Sequence, residues 1–261
     1  MALGSREASE TRYNIRVVDR AIRILSLLED GRPRTASQIS EELGLSPSTT
    51  FRLLATLCQY DYVEKNEAGS VYTLGLACLE LAHAYQASND LRRAALPVLE
   101  ALRDDVKETI HLAVLAQMEV VYIEKLPGLH AIGLMGSSVG GRAPAYCTAV
   151  GKALLAFERP ERVMAYYREH GLRGFTATTI TDVQALLKHL AQVRAQGYSL
   201  DMGEHEADVR CVAAAILDRT GRAAAALSVS GPSHRLDPVE QALEIIDKAR
   251  QAAATISHRL G

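Results

Sequence analysis

Apolar positions from Tyr13 onward repeat at helical spacing. Val17, Ala21, Ile24, Leu25 and Leu28 share one face, and Gly31 and Pro33 end the pattern. A second helix starts at Thr35, with Gln38 as its capping-box partner, Ala36, Ile39 and Leu43 facing inward, and Gly44 as the C-terminal cap. Just beyond it, Ser46 and Pro47 open a third helix whose inner stripe is Thr50, Leu53, Leu54 and Leu57. Ser48, Thr49 and Arg52 lie opposite that stripe, with Phe51 on the flank. "YVEKNEAGSVYTL" adds strand-like runs at 62–65 and 71–74 around a polar turn. Two short helices joined by a tight turn, then a hairpin, predict a winged helix-turn-helix over residues 14–76, behind a disordered leader at 1–13.

Residues 74–90 are helical in pattern but apolar almost all round, interrupted only by Glu80, His83 and Gln86. Such a helix buries more than one side, so 77–90 is read as a linker helix that dimerises. The pattern from 91 to 261 alternates. It predicts a helix at 91–106 with Pro97 in its first turns, a hairpin of 109–115 with 120–124, and a strand at 130–135. Helices follow at 149–157, 161–170 and 182–196, the last capped by Thr181. A strand at 198–201 precedes a pair, 210–217 and 222–230, around "DRTG". A final helix from Asp237 turns Val239, Leu243, Ile246, Ala249 and Ala253 inward. Antiparallel strands with helices segregated around them make this half α+β.

Composition changes the picture in two places. With 48% apolar residues in 261, the chain supports two cores, and it has no apolar run long enough to span a bilayer. The polar, mixed-charge N-terminus is unlike a secretory signal, and Cys58, Cys78, Cys147 and Cys211 form no CxxC pair. These features point to a cytoplasmic protein with reduced thiols and no membrane partner. Net charge is −2, and residues 1–76 carry nine basic and ten acidic side chains. Bulk charge therefore offers no attraction to nucleic acid, and any DNA contact must come from local arginines. Ser48 and Thr49 near a helix N-terminus suit phosphates, Arg52 suits a guanine edge, and Arg16, Arg32 and Arg34 lie on nearby elements. A solvated surface accounts equally well for any single arginine.

In "ALSVSGP", Ser228 and Ser230 share a strand face while Leu227 and Val229 take the other. Cys211, Ala213 and Ala215 share a face of "RCVAAAIL". Small and hydroxylated residues on adjacent strands describe either a ligand pocket or a tight alanine-rich core with satisfied serines. "AVGKAL" fails as a phosphate loop, lacking the earlier glycine and carrying Ala153 in place of Ser or Thr. Cys211 with His205 forms a candidate nucleophile and base without an orienting partner, and Asp201, Glu204, His205 and Glu206 match no metal-ligand spacing. No catalytic group, metal or cofactor is assigned.

"GLSPSTTFRLLATL", "PAYCTAVGKALLA", "GYSLDMGEHEADVRCVAA" and "ALSVSGP" resemble, in that order, the marker segments of the IclR family of bacterial transcriptional regulators. The resemblance implies a winged helix-turn-helix, a linker helix and a GAF-like effector-binding domain with an antiparallel sheet, and a homodimer or dimer of dimers on palindromic operator DNA. It implies a DNA-binding set of Arg16, Arg34, Thr35, Ser46, Ser48, Thr49, Thr50, Phe51 and Arg52. It likewise implies effector contacts from Ala143, Pro144, Ala145, Ala149, Val150, Asp201, Cys211, Ser228, Val229 and Ser230. Asp208 replaces the usual glycine and Gly203 a common acid, with Asp208 expected to tolerate a left-handed backbone. Ala143 and Ala145 in place of larger residues suggest a roomier pocket, suited to a sugar acid or aromatic acid. The expected function is a regulator, with repression favoured over activation, that responds to a small organic acid. The alternatives are an enzyme built on Cys211, with the winged helix as a dimerisation module, and a constitutive DNA-binding protein.

Overall fold

The computed structural model describes residues 14–66, 68, 70–129, 136–236 and 239–260. The leader expected at 1–13 and the strand expected at 130–135 lie outside the described residues. The chain divides into two compact units, Met1–Ser88 and Asn89–Gly261.

In the first unit, α1 (Arg16–Leu28), β1 (Arg34–Thr35), α2 (Ala36–Leu43) and α3 (Pro47–Gln59) precede β2 (Val63–Asn66), β3 (Val71–Leu74) and α4 (Leu76–Ser88). The caps form where the sequence places them. Thr35 and Gln38 close a reciprocal capping box on α2, Gly44 takes a left-handed φ of 63°, and the Ser46 hydroxyl accepts from the Thr49 N–H. The three helices and the wing enclose a small core of Ile24, Leu27, Leu28, Ile39, Leu43, Leu53, Leu54, Leu57, Val63 and Tyr72. Val17 is not in it: at 62% exposure it belongs to an apolar surface of α1 that begins a turn before the core does. The wing is a three-stranded sheet in the order β1-β3-β2, because the two residues before α2 pair with β3. α4 buries no residue.

In the second unit, α5 (Asp90–Val106) leads into the hairpin β4 (Thr109–Ala116) and β5 (Glu119–Leu126). β6 (Arg142–Pro144), α6 (Ala149–Leu155), α7 (Pro160–His170) and α8 (Val183–Gln196) follow, then β7 (Ser199–Asp201), β8 (Val209–Leu217), β9 (Ala223–Pro232), α9 (Ser233–Leu236) and α10 (Val239–Leu260). Among the described residues, six antiparallel strands form one sheet in the order β6-β5-β4-β9-β8-β7. The β4–β5 turn puts both Gln117 and Met118 at positive φ (57° and 62°), the twist a two-residue hairpin requires.

Helices cover both faces of this sheet, as expected of antiparallel strands with helices segregated around them. On one face, α6 packs on Ala113, Val120, Ala213 and Ala226, and α7 and α8 extend the same core behind it. On the other, α5 and α10 pack on Ile110, Leu112, Val212, Ala214, Leu227 and Val229. Period-two alternation sends neighbouring residues of β4, β8 and β9 into opposite cores. Local details also differ from expectation. Asp182, not Thr181, caps α8 by accepting from the Ala185 N–H at 2.7 Å. Pro97 sits inside α5, whose start is capped by Asn89. Leu243 is exposed, while Ile246, Ala249 and Ala253 are buried as the spacing predicts.

Candidate effector pocket and DNA-reading helix

The outward side of α3 presents Ser48, Phe51 and Arg52 to solvent, with Thr49 half-buried at its first turn. Phe51 is 63% exposed, which no packing demand of the small core explains. Among the described residues Arg52 forms no ion pair, and Arg16 lies exposed in the first turn of α1. Four members of the expected contact set are otherwise engaged. Thr50 is fully buried and its hydroxyl meets that of Ser40 at 2.9 Å. Arg34 makes a bidentate pair with Asp30 at 2.7 Å and reaches Glu42 at 3.3 Å, leaving its side chain only 12% exposed. That guanidinium holds the Asp30 carboxyl well below the usual carboxylate range. The Thr35 hydroxyl and the Ser46 hydroxyl both serve as helix caps.

In the second unit a small pocket opens on the sheet face covered by α6. Sheet register assembles its floor. His111 on β4 faces Ser228 on β9, Ser230 faces Cys211 on β8, and Cys211 faces Asp201 on β7. The Ser228 and Ser230 hydroxyls lie 3.2 Å apart, and each is 3.4 Å from His111 Nδ1. His111 Nε2 meets the Ser137 hydroxyl at 2.8 Å, and the Tyr122 ring stands 5.1 Å from the imidazole. Thr148, Ala149 and Val150 form one wall, and His205, Glu206 and Val209 another.

Electrostatically the pocket is poor in positive charge: no Lys or Arg lines it among the described residues. Burial, reinforced by the charge of Lys125, pushes His111 down to about 3, so its imidazole is neutral with one donor and one acceptor nitrogen. Burial pushes Asp201 up to about 6, against the favourable hydrogen bond from the Glu204 N–H at 2.6 Å. The Cys211 thiol is also held far up, by burial first and then by the Asp201 charge. A thiol so protonated is no nucleophile.

Of the expected effector set, Ala149, Val150, Asp201, Cys211, Ser228 and Ser230 line this pocket. Ala143, Pro144, Ala145 and Val229 do not. Val229 alternates into the core against α5 and α10. Ala145 packs beneath α6, whose Gly151 approaches so closely that a Cβ there would stand 2.2 Å from the Ala145 carbonyl oxygen. Smaller side chains at 143 and 145 therefore do not enlarge the pocket, and that argument for a bulky acid falls.

Comparison with known proteins decides what kind of chain carries this site. Residues 17–67 match the IclR helix-turn-helix domain, and residues 83–258 match the bacterial transcriptional regulator IclR C-terminal domain. The HTH-type transcriptional regulator XynR of Escherichia coli is 37% identical over 95% of this chain and 98% of its own length. The HTH-type transcriptional repressor AllR of the same organism is 35% identical over 92% and 89%. The chain belongs to the IclR family. Solved relatives agree: an IclR regulator from Alicyclobacillus acidocaldarius superposes with a TM-score of 0.84 at 28% identity, over 95% of this chain and all of that one. An IclR homologue from Microbacterium hydrocarbonoxydans, complexed with 4-hydroxybenzoate, gives 0.81 at 30% identity, over 94% and 98%.

As an IclR regulator the chain is a DNA-binding transcription factor and not an enzyme, which retires the reading built on Cys211 as a nucleophile. Within the IclR fold, the sequence reading missed His111, Tyr122, Ser137, Thr148 and Val209 in the pocket and treated His205 and Glu206 only as metal or base candidates. His111 carries a signal, as an ionisable residue at an inward position of a strand that is apolar from Leu112 onward. Asp208, expected to tolerate a left-handed backbone, does not adopt one, since its φ is not positive. Gly203 does take φ +83°, and a Cβ there would meet the Ala207 carbonyl oxygen at 2.7 Å.

Proposed function

We propose that this IclR regulator is a cytoplasmic repressor that acts as a homodimer, or a dimer of dimers, on palindromic operator DNA and responds to a small carboxylate effector. The carrying observation is the pocket in which Ser228, Ser230 and His111 meet beside Asp201; that the Microbacterium homologue is complexed with 4-hydroxybenzoate supports an organic acid as its ligand. The two hydroxyls and the neutral imidazole offer donors to a carboxylate, while Asp201 accepts from a hydroxyl elsewhere on the ligand. Ser48, Thr49, Phe51 and Arg52 of α3 read the operator, and Arg16 touches its backbone. Repression is supported by the likeness to AllR.

The dimer reading rests on α4. Leu76, Leu79, Leu81 and Tyr85 are between 56% and 71% exposed in the single chain, on a helix that buries nothing. In this reading residues 14–76 form the DNA-reading domain, 77–90 the dimerising linker and 91–261 the effector domain. Effector then changes DNA affinity through its different affinity for two domain arrangements.

The test is fluorescence anisotropy on the DNA upstream of the protein's own gene, against scrambled DNA, across a salt series, followed by a panel of aliphatic, sugar and aromatic monocarboxylates. Selective binding that weakens with salt and is released by a panel member is expected. Ser228→Ala with Ser230→Ala should keep operator binding and abolish release. A double variant that still responds normally would place the effector elsewhere.

A further inference from the structure

A buried ion pair beneath the pocket belongs neither to its lining nor to the DNA-reading face. Lys152, in α6, is fully buried, and its ammonium pairs with Oε1 of Glu204. Lys152 lies two residues beyond Val150, which lines the pocket, and Glu204 one residue before His205, which also does. Taking both charges out of water consumes most of what their attraction returns, and an apolar pair of similar volume is often as stable. Net stability is therefore a weak reason for this pair. What it supplies is one fixed arrangement of two pocket walls.

The backbone around Glu204 is held from two other directions. Its N–H donates to Asp201 Oδ1 at 2.6 Å, tying it to the end of β7. The Thr176 and Thr178 hydroxyls donate to the Gly203 carbonyl at 2.6 and 2.9 Å, and the Thr179 hydroxyl donates to the Glu204 carbonyl at 2.6 Å. Lys152 supplies the third tie, the one that reaches α6. The other carboxylate oxygen, Glu204 Oε2, is buried without a hydrogen-bond partner among the described residues. An unsatisfied buried acceptor is a cost that a purely structural loop would shed.

We infer that Lys152 and Glu204 are positioning residues of the effector pocket: their pairing holds the loop 202–206 against the first turn of α6 and sets how tightly the pocket closes. The inference rests on the reading of this pocket as the effector site. Asp201, which lines the pocket and holds the Glu204 N–H, connects ligand contact to this loop, and Lys152 carries the connection to α6.

The experiment is amide hydrogen exchange on the full-length protein with an empty pocket. Lys152→Met alone strands the Glu204 charge and risks unfolding, so the decisive variant combines Lys152→Met with Glu204→Gln. That double variant should keep its Tm within about 3 °C of wild type. Amides of 203–208 and of the first turn of α6 should exchange about tenfold faster, with α5 and α10 unchanged. Loop exchange equal to wild type would overturn the inference, as would acceleration spread evenly over both faces of the sheet. No ligand or DNA enters this measurement, so failure of the effector reading appears separately, as a lack of response in the operator titration.

Discussion

Ser228 of β9 and His111 of β4 face each other across adjacent strands, with the serine hydroxyl 3.4 Å from Nδ1 of an imidazole that burial keeps neutral. Residues far apart in sequence thus form the polar centre of the pocket, and Ser230 and Ser137 complete the ring of hydroxyls around the histidine. A shell of hydroxyls can donate or accept, so it can satisfy the imidazole both with and without a ligand.

Replacing the imidazole isolates its role. His111→Phe keeps an aromatic ring on β4 and removes both ring nitrogens. Operator binding should stay within about twofold of wild type, since nothing on α3 changes, while the effector concentration needed for release should rise at least about tenfold, the loss of one or two hydrogen bonds. An unchanged dose response in the anisotropy titration would remove His111 from the ligand's contacts.

Asp201 should make both stability and effector affinity depend on pH. Its carboxyl titrates near 6 in the folded protein, above the unfolded value of about 3.9, so the folded state holds the extra proton. This group's contribution to stability is fully present below about pH 4 and is lost as pH rises through 6. Asp201→Asn keeps an acceptor for the Glu204 N–H and carries no charge. The variant should therefore gain about 2 kcal/mol relative to wild type at pH 8 and little at pH 4, read by denaturant titration at both. Carboxylate affinity should fall with rising pH in the wild type and stay flat in the variant, because an ionised Asp201 repels the incoming anion.

Two arginines near the DNA-reading helix should behave oppositely. Arg52→Ala should lower operator affinity by about 1–3 kcal/mol and relax sequence preference. Arg34→Ala should leave the affinity of the folded protein unchanged and lower Tm, because its guanidinium already joins Asp30 and Glu42. Equal losses of affinity in the two variants would contradict this assignment.

Thr50 separates packing from reading on the same helix. Its hydroxyl pairs with that of Ser40 in the core between α2 and α3. Thr50→Val keeps the shape and removes one buried hydrogen bond while Ser40 keeps its bond to the Leu45 carbonyl, so it should cost about 1 kcal/mol in chemical denaturation without altering sequence preference. A shift in preferred operator sequence would return Thr50 to the interface.

What the sequence determined by itself was mostly local. Caps at Thr35, Gly44 and Ser46, the stripe of α3, the hairpins, and the shared face of Ser228 and Ser230 all follow from residues a few positions apart, where backbone geometry links spacing to direction. Four motifs in order were enough for the family. Tertiary structure decided the rest, because it concerns which distant residues become neighbours. It set His111 against Ser228, committed Arg34 to Asp30 and Glu42, and turned Thr50 to Ser40. It also placed Ala145 under α6 and Val229 on the far face of the sheet, and buried Lys152 on Glu204. A periodicity gives a side chain's face but not its partner, and strand register and helix packing, which choose the partner, are properties of the whole fold.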